Sequence, residues 1–363
     1  MLNSNQLLVL SLFFFLNILV SIGLTFFSIK FAVQIGCLDN PEDASHRKFQ
    51  KSPIPLLGLL GVSIWSIVLM ILVWLSLKFN WWNLELLLRN GLFYEFKFYW
   101  IIIGAVIIMF AGFLDDKINL SPKIYFPIVF FGLIISVFLG GLKIEEANLP
   151  FVNLNLKLGF IPQLLALFWI GACLSATKFL DGLDGLVGSV GVVTFLIIAL
   201  TATKANVNQP LIVIFSTIWA SGLLGFLWFN KPNAQVYLGE GGATAIGFWI
   251  GVLSILSGAK VATSFSVIGW FILDILIVML IRVWRYKSLR GIFQADSDLH
   301  WHHRLRNLNL TKWQTLGITI GVISLSSYLA TILDNQSKFF LILGQIICLI
   351  IFFYFSLKKS VKK

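Results

Sequence analysis

Charge is what this chain has least of. Only 12% of its 363 residues are Asp, Glu, Lys or Arg, against about 25% in soluble domains. Acidic residues number 16 and histidines 4, so each must be placed with care. With 58% hydrophobic residues beside so little charge, a water-soluble enzyme and a disordered tail are both excluded. Three cysteines, Cys37, Cys173 and Cys348, show no CxxC spacing. That excludes a zinc ribbon or disulfide framework and predicts reduced, buried thiols. No GxxxxGK[ST] run is present, which excludes a P-loop. The start, MLNSNQ, has neither a basic n-region nor a small-residue cleavage pattern, so the first apolar run reads as a retained helix.

What is there is length in the apolar runs. Leu, Ile, Val and Phe fill stretches of roughly 20 residues, enough to cross a hydrocarbon core of about 30 Å as a helix. Hydropathy and breakers together predict an all-α, polytopic membrane bundle with helices near 7–29, 54–77, 98–114, 124–141, 160–177, 185–202, 210–229, 243–257, 261–283, 313–333 and 339–357. About eleven spans put the N-terminus outside and the C-terminus in the cytoplasm, with residues 1–363 forming a single domain. The parity places the loops near 30–53, 115–123, 178–184, 230–242 and 282–312, and the C-terminal tail, on one face. That face carries 19 of the 27 Lys and Arg residues, so it reads as cytoplasmic. The net charge of +11 then reflects topology and attraction to anionic membrane lipids; no basic module interleaved with aromatics suggests nucleic acid.

The opposite face says less. KIEEANLPFVNLNLKL, 143–158, alternates apolar and polar residues around Pro150 and predicts a small β-hairpin. Trp81 and Trp82 read as an interfacial anchor.

The scarce polar residues fall almost entirely on the cytoplasmic side. Asp115 and Asp116 end the third span; two adjacent carboxylates there can bind Mg²⁺ or supply a base, or can simply cap a helix end. In KFLDGLDGLVGSV, 178–190, Asp181 and Asp184 share a short connection with Lys178, which suits a charged ligand, although an ordinary Gly/Asp turn is the plain alternative. NKPNAQVYLGEGGATAIGF, 230–248, opens the eighth span; its GEGGA start can offer backbone N–H groups to phosphate while Glu240 holds a metal, or the glycines can serve packing alone. HWHHRLRNL sets His300, His302 and His303 beside Arg304 in a loop of about 30 residues, a length uncommon without function. Asp274 lies roughly 12 Å inside the ninth span at about 1.5 Å per residue, as a functional acid or as a bundle-facing hydrogen bonder.

These segments together resemble the polyprenyl-phosphate N-acetylhexosamine-1-phosphate transferases, integral membrane enzymes that start bacterial glycan assembly. The resemblance rests on HRKFQKSPIPLLGLLG at 46–61, LDDKINLSPK at 114–123, KFLDGLDGL at 178–186, the Asn230-to-Glu240 spacing with YLGEGGA, FILDILIVMLIR and HWHHRL, all in the family's order. The HxHH pattern resembles the branch that transfers N-acetylglucosamine-1-phosphate or a related sugar phosphate. The resemblance implies a plasma-membrane enzyme dependent on Mg²⁺, with Mn²⁺ able to stand in, that uses a UDP-sugar and undecaprenyl phosphate at the cytoplasmic face and releases UMP. It implies that Asp115 and Asp116 act on the acceptor phosphate or its metal, that Asp181 and Asp184 line the nucleotide pocket and that Glu240 is a metal ligand. Asn230 would touch the nucleotide; Lys178, Arg47, Lys48, His300, His302, His303 and Arg304 would bind substrate. Dimers occur among such enzymes, which leaves a homodimer open.

Four positions depart from the family's usual pattern: Ser175 and Lys178 stand where Asn is usual, Glu240 where Asp is usual, and Gln50 where His is usual. They bear on substrate choice and metal geometry and leave the fold alone. A catalytically altered member that binds lipid or a partner is the main rival reading. A transporter is the weaker one, since internal repeats and midplane charges are missing.

Overall fold

The computed structural model describes residues 4–41, 52–79, 97–149, 152–155, 159–204, 207–257, 261–288 and 299–360. His46, Arg47, Lys48 and Gln50 lie outside the described residues, as do Trp81 and Trp82.

In chain order the elements are α1 (Ser4–Gln34), β1 (Leu38–Asp39), β2 (Ile54–Pro55), α2 (Leu60–Lys78), α3 (Phe98–Ile118) and α4 (Pro122–Ile134), which runs on into a π-helical turn at Ile135–Leu139. There follow β3 (Glu146–Leu149), β4 (Val152–Asn155), α5 (Ile161–Leu180), α6 (Leu186–Ala202), α7 (Pro210–Asn230), α8 (Glu240–Leu256), α9 (Val261–Tyr286), α10 (Trp301–Asn307), α11 (Lys312–Ile332) and α12 (Asn335–Ser360). The fold is all-α and polytopic, as composition predicts. Among the described residues, seven helices are long and apolar enough to cross a membrane, namely α1, α3, α4 with its π turn, α5, α7, α11 and α12; α2, α6 and α8 are shorter apolar helices. The hairpin expected at 143–158 is present as β3 and β4, paired antiparallel with Glu146 opposite Asn155.

Several boundaries move for identifiable reasons. The second helix starts at Leu60 and not near 54, because Ile54 precedes a proline, which favours extended backbone, and pairs with Asp39 across β1 and β2. The eighth starts at Glu240 and not near 243, because its first N–H groups find acceptors outside the helix. The histidine segment is not open loop: His300 is extended at the N-cap and Trp301 begins the seven-residue α10.

The chain forms two compact units. The first holds residues 1–145 and 156–259, the second residues 146–155 and 260–363. In the first, α6 packs on α7, α5 and α3 on α8, α1 on α7, and α3 on α4. An aromatic chain fills its centre, running Phe195, Trp219, Trp249, Phe98, Phe215 with neighbouring ring centroids 5.4–6.5 Å apart. Apolar packing alone gives little preference between helices and lipid, so polar groups assist. Asn17 on α1 donates to Ile218 O and Ser221 Oγ on α7 and accepts from the Trp65 indole of α2. In the second unit α9 packs on α11 and α12, and α10 on α11.

The thiol expectation needs one correction: Cys37 and Cys173 are buried, but Cys348 is exposed on α12. All three are free.

Candidate active site

Five helix ends meet at one end of the first unit. The C-termini of α3, α5 and α7 and the N-termini of α6 and α8 bring Asp115, Asp116, Lys178, Asp181, Asp184, Asn230 and Glu240 into one neighbourhood. Close backbone approach makes this possible. A Cβ on Gly112 would collide with the backbone of Gly241, so glycine at 112 lets α3 lie this near α8.

Asp116 is bound at that contact. Its Oδ1 accepts the Glu240 N–H at 2.8 Å and its Oδ2 the Gly241 N–H at 3.3 Å. Gly239 is left-handed, with φ +79°, and an added Cβ would stand 2.7 Å from Asp116 Oδ2. The carboxylate therefore caps α8 from a neighbouring helix, where negative charge also suits the helix dipole. This corrects the expectation that the GEGGA start presents these N–H groups to phosphate: Asp116 takes them. Cys37 donates its thiol to Asp116 O at 3.4 Å, and burial, with the Asp116 carboxylate adding, pushes that thiol up to about 11.

Lys178 and Glu240 are paired with each other. Lys178 Nζ stands 2.7 Å from Glu240 Oε1 and 4.2 Å from the centroid of the Tyr125 ring. The Tyr125 hydroxyl donates to the same Oε1 at 2.6 Å. Tyr125 was not singled out from the sequence; it is one more aromatic in an apolar helix, and its single polar atom was the only sign. Ser175 is spent locally, donating to Gly171 O within α5.

Asp184 and Asn230 join loops. Asp184 Oδ2 accepts from Asn233 N at 3.1 Å and Ala234 N at 3.4 Å. Buried Asn230 accepts from Gly185 N at 3.1 Å and donates to Val236 O at 2.8 Å. Its amide thus ties the 181–185 turn to the 231–239 loop. Asp181 is exposed by surface area yet sits in the crowded mouth of this basin. Displaced water raises its carboxyl to about 7, with Glu240, Asp116 and Asp184 adding repulsion.

The expected metal set fits poorly. Asp116 is committed to backbone N–H groups and Glu240 Oε1 to Lys178 and Tyr125. Among the described residues, no three His, Cys, Asp or Glu side chains stand close enough to share an ion. Mg²⁺ usually takes one or two carboxylates beside phosphate oxygens and waters, and of the three expected ligands Asp115 alone stands outside these contacts.

The second unit holds His300, His302 and His303. Asp274 Oδ2 lies 2.9 Å from His300 Nδ1, and its Oδ1 accepts Trp301 N at 2.9 Å. Asp274 thus holds the start of α10. Arg304 is buried: Nε donates to Leu299 O at 2.9 Å, Nη1 to Ser356 Oγ at 3.0 Å, and its guanidinium lies over Phe353. It anchors α10 to α12. His302 is buried with no hydrogen-bond partner on Nε2 among the described residues. Burial, then the charges of His303 and His300, hold its imidazole well below the usual histidine range.

Comparisons with known proteins bear on this arrangement. The profile of glycosyl transferase family 4 matches residues 98–258, which hold every group of the acidic basin. A protein of Bacillus subtilis (strain 168) described as a probable undecaprenyl-phosphate N-acetylglucosaminyl 1-phosphate transferase is 28% identical over 329 residues, covering 89% of this chain and 84% of that one. The phospho-N-acetylmuramoyl-pentapeptide-transferase of Staphylococcus epidermidis (strain ATCC 35984) is 28% identical over 212 residues, 58% of this chain and 64% of that enzyme. The enzyme of the same description from Listeria monocytogenes (strain EGD-e) is 28% identical over 250 residues, 62% and 73%.

Proposed function

Because the chain belongs to the polyprenyl-phosphate N-acetylhexosamine-1-phosphate transferases of glycosyl transferase family 4, we propose that it transfers a sugar-1-phosphate from a UDP-sugar to undecaprenyl phosphate. N-acetylglucosamine-1-phosphate is the sugar phosphate favoured, since the relative covered over most of its length is described by that activity. The observation that carries the reading is the gathering of Asp115, Lys178, Asp181 and Glu240 at helix ends on one side of the bundle. A site at helix ends lets a water-soluble donor meet a lipid whose tail stays in the bilayer. The loops of that side hold most of the Lys and Arg, which supports a cytoplasmic, inner-membrane site.

The chain's own groups divide the work. Asp115, whose carboxylate accepts from Leu120 N–H, aligns the acceptor phosphate and takes any proton it carries. An acceptor oxygen attacks the β-phosphorus of the donor, the P–O bond to the α-phosphate breaks, and UMP leaves with the bond's electron pair. Lys178 meets the charge that builds on the phosphates, since phosphoryl transfer is mainly positioning and electrostatics. Asp116, Asp184 and Asn230 hold the loops that frame the pocket.

The test is transfer of radiolabel from UDP-N-acetylglucosamine into undecaprenyl phosphate by purified protein, beside Asp115→Asn and a panel of other UDP-sugars. Labelled lipid that disappears in Asp115→Asn is expected. No labelled lipid from any donor, with folded protein, would overturn the reading in favour of a member that only binds lipid or a partner.

A further inference from the structure

The Lys178–Glu240 pair carries a consequence for how this pocket handles charge. Resting on the transferase reading above, we infer that Lys178 is a resident cation: its ammonium fills the place a divalent ion would take on Glu240, so that Glu240 is not a metal ligand in this chain and Lys178 is the group that receives phosphate there.

The geometry supports this from three directions. The contact is short, 2.7 Å between Nζ and Oε1, and the Tyr125 hydroxyl at 2.6 Å adds a second donor to the same oxygen. An oxygen that accepts an ammonium and a hydroxyl at these distances has little left to offer a metal ion. Lys178 is also seated, not merely nearby, because the Tyr125 ring lies 4.2 Å and the Phe126 ring 5.9 Å from its nitrogen. Tyr125 is thus a positioning residue twice over, holding the carboxylate by its hydroxyl and the ammonium by its face. Finally, exposure is uneven. The Glu240 side chain is 16% exposed and that of Lys178 36% exposed, so the cation, not the carboxylate, is what an incoming anion meets.

Length matters as well. Glu240 carries one more methylene than aspartate would, which extends the reach of its carboxylate toward the Lys178 ammonium. A tethered ammonium offers three donors and one charge in a fixed place. One donor goes to Glu240, which is its one ion-pair partner among the described residues.

The experiment uses the full chain in nanodiscs and Mn²⁺ as the probe, followed by electron paramagnetic resonance. Wild type and Glu240→Gln are expected to bind Mn²⁺ equally weakly. Lys178→Met, which frees the carboxylate, is expected to gain about tenfold in Mn²⁺ affinity, and Glu240→Gln in that background to abolish the gain. The inference is overturned if Glu240→Gln alone weakens Mn²⁺ binding, or if the gain in Lys178→Met survives loss of Glu240. Should Lys178→Met fail to fold, the comparison of wild type with Glu240→Gln decides alone. Radiolabel transfer is measured on the same wild-type preparation. Labelled lipid with a Glu240-dependent Mn²⁺ site would sink the resident cation and keep the transferase; the expected Mn²⁺ pattern without labelled lipid from any donor would sink the transferase and keep the pair.

Discussion

Asp116 holds the first N–H of the helix that begins at Glu240, oxygen to nitrogen at 2.8 Å. Its neighbour Asp115 has no part in that cap, and the two carboxylates should separate on mutation. Asp116→Ala leaves two helix-start donors without their acceptor and should cost about 1–2 kcal/mol, seen as a lower melting temperature by intrinsic fluorescence. Asp116→Asn keeps an acceptor and should lose less. Asp115→Asn should melt like wild type yet give no labelled lipid. Equal destabilisation by Asp115→Asn and Asp116→Ala would contradict this division.

Asp181 gives a pH signature. Its carboxyl stays protonated in the folded chain up to about 7, against 3.8 in an unperturbed aspartate. The folded state therefore binds more protons than the unfolded one between those values, so stability falls as pH rises from about 4 to about 7 and then levels. Donor binding should follow the same sign. Ionisation near 7 adds a negative charge beside Asp116, Glu240 and Asp184, so KM for the UDP-sugar should rise above that pH. In Asp181→Asn the rise should be absent, and a rise that persists there would assign it elsewhere.

The apolar helices were legible because a run of about 20 residues is its own signal. The gathering of Asp115, Asp116, Asp181, Asp184 and Glu240 at one end was legible too, since counting spans sorts loops without any knowledge of packing. Individual roles were not. Residues 115 and 116 project about 100° apart on α3, so one can reach α8 while the other cannot, and nothing in DD says which. Lys178 and Glu240 are distant in the chain, and no local rule pairs them. The seven residues of α10 are too few to show a helical period, which is why the histidines read as loop. Arg304 looked like a phosphate ligand because its serine acceptor, Ser356, comes from a helix distant in the chain.

Asn230 is predicted to be a strut. Its amide spans Gly185 N and Val236 O in a buried setting, so Asn230→Ala strands a donor and an acceptor at once. A loss of about 1–3 kcal/mol is expected. Hydrogen exchange should quicken in both the 181–185 turn and the 231–239 loop. Faster exchange in only one of them would show that the amide does not couple the two.

Asp274 and His302 make the last prediction, confined to the second unit. Asp274 fixes the start of α10 by accepting Trp301 N and facing His300, and α10 in turn buries His302. Burial and the two neighbouring histidines disfavour the imidazolium, so His302 should remain neutral as pH falls through the ordinary histidine range. An unfolded chain would take up that proton, which makes the fold less stable as pH drops below about 6.5. In ¹⁵N-histidine NMR, wild type should show a His302 signal that does not titrate between about pH 6 and 8. Asp274→Asn keeps the acceptor for Trp301 N but removes the charge facing His300; His302 should stay neutral. Asp274→Ala releases the start of α10, and its His302 should titrate near the ordinary value. A His302 that titrates normally in wild type would show that α10 does not seal it from water.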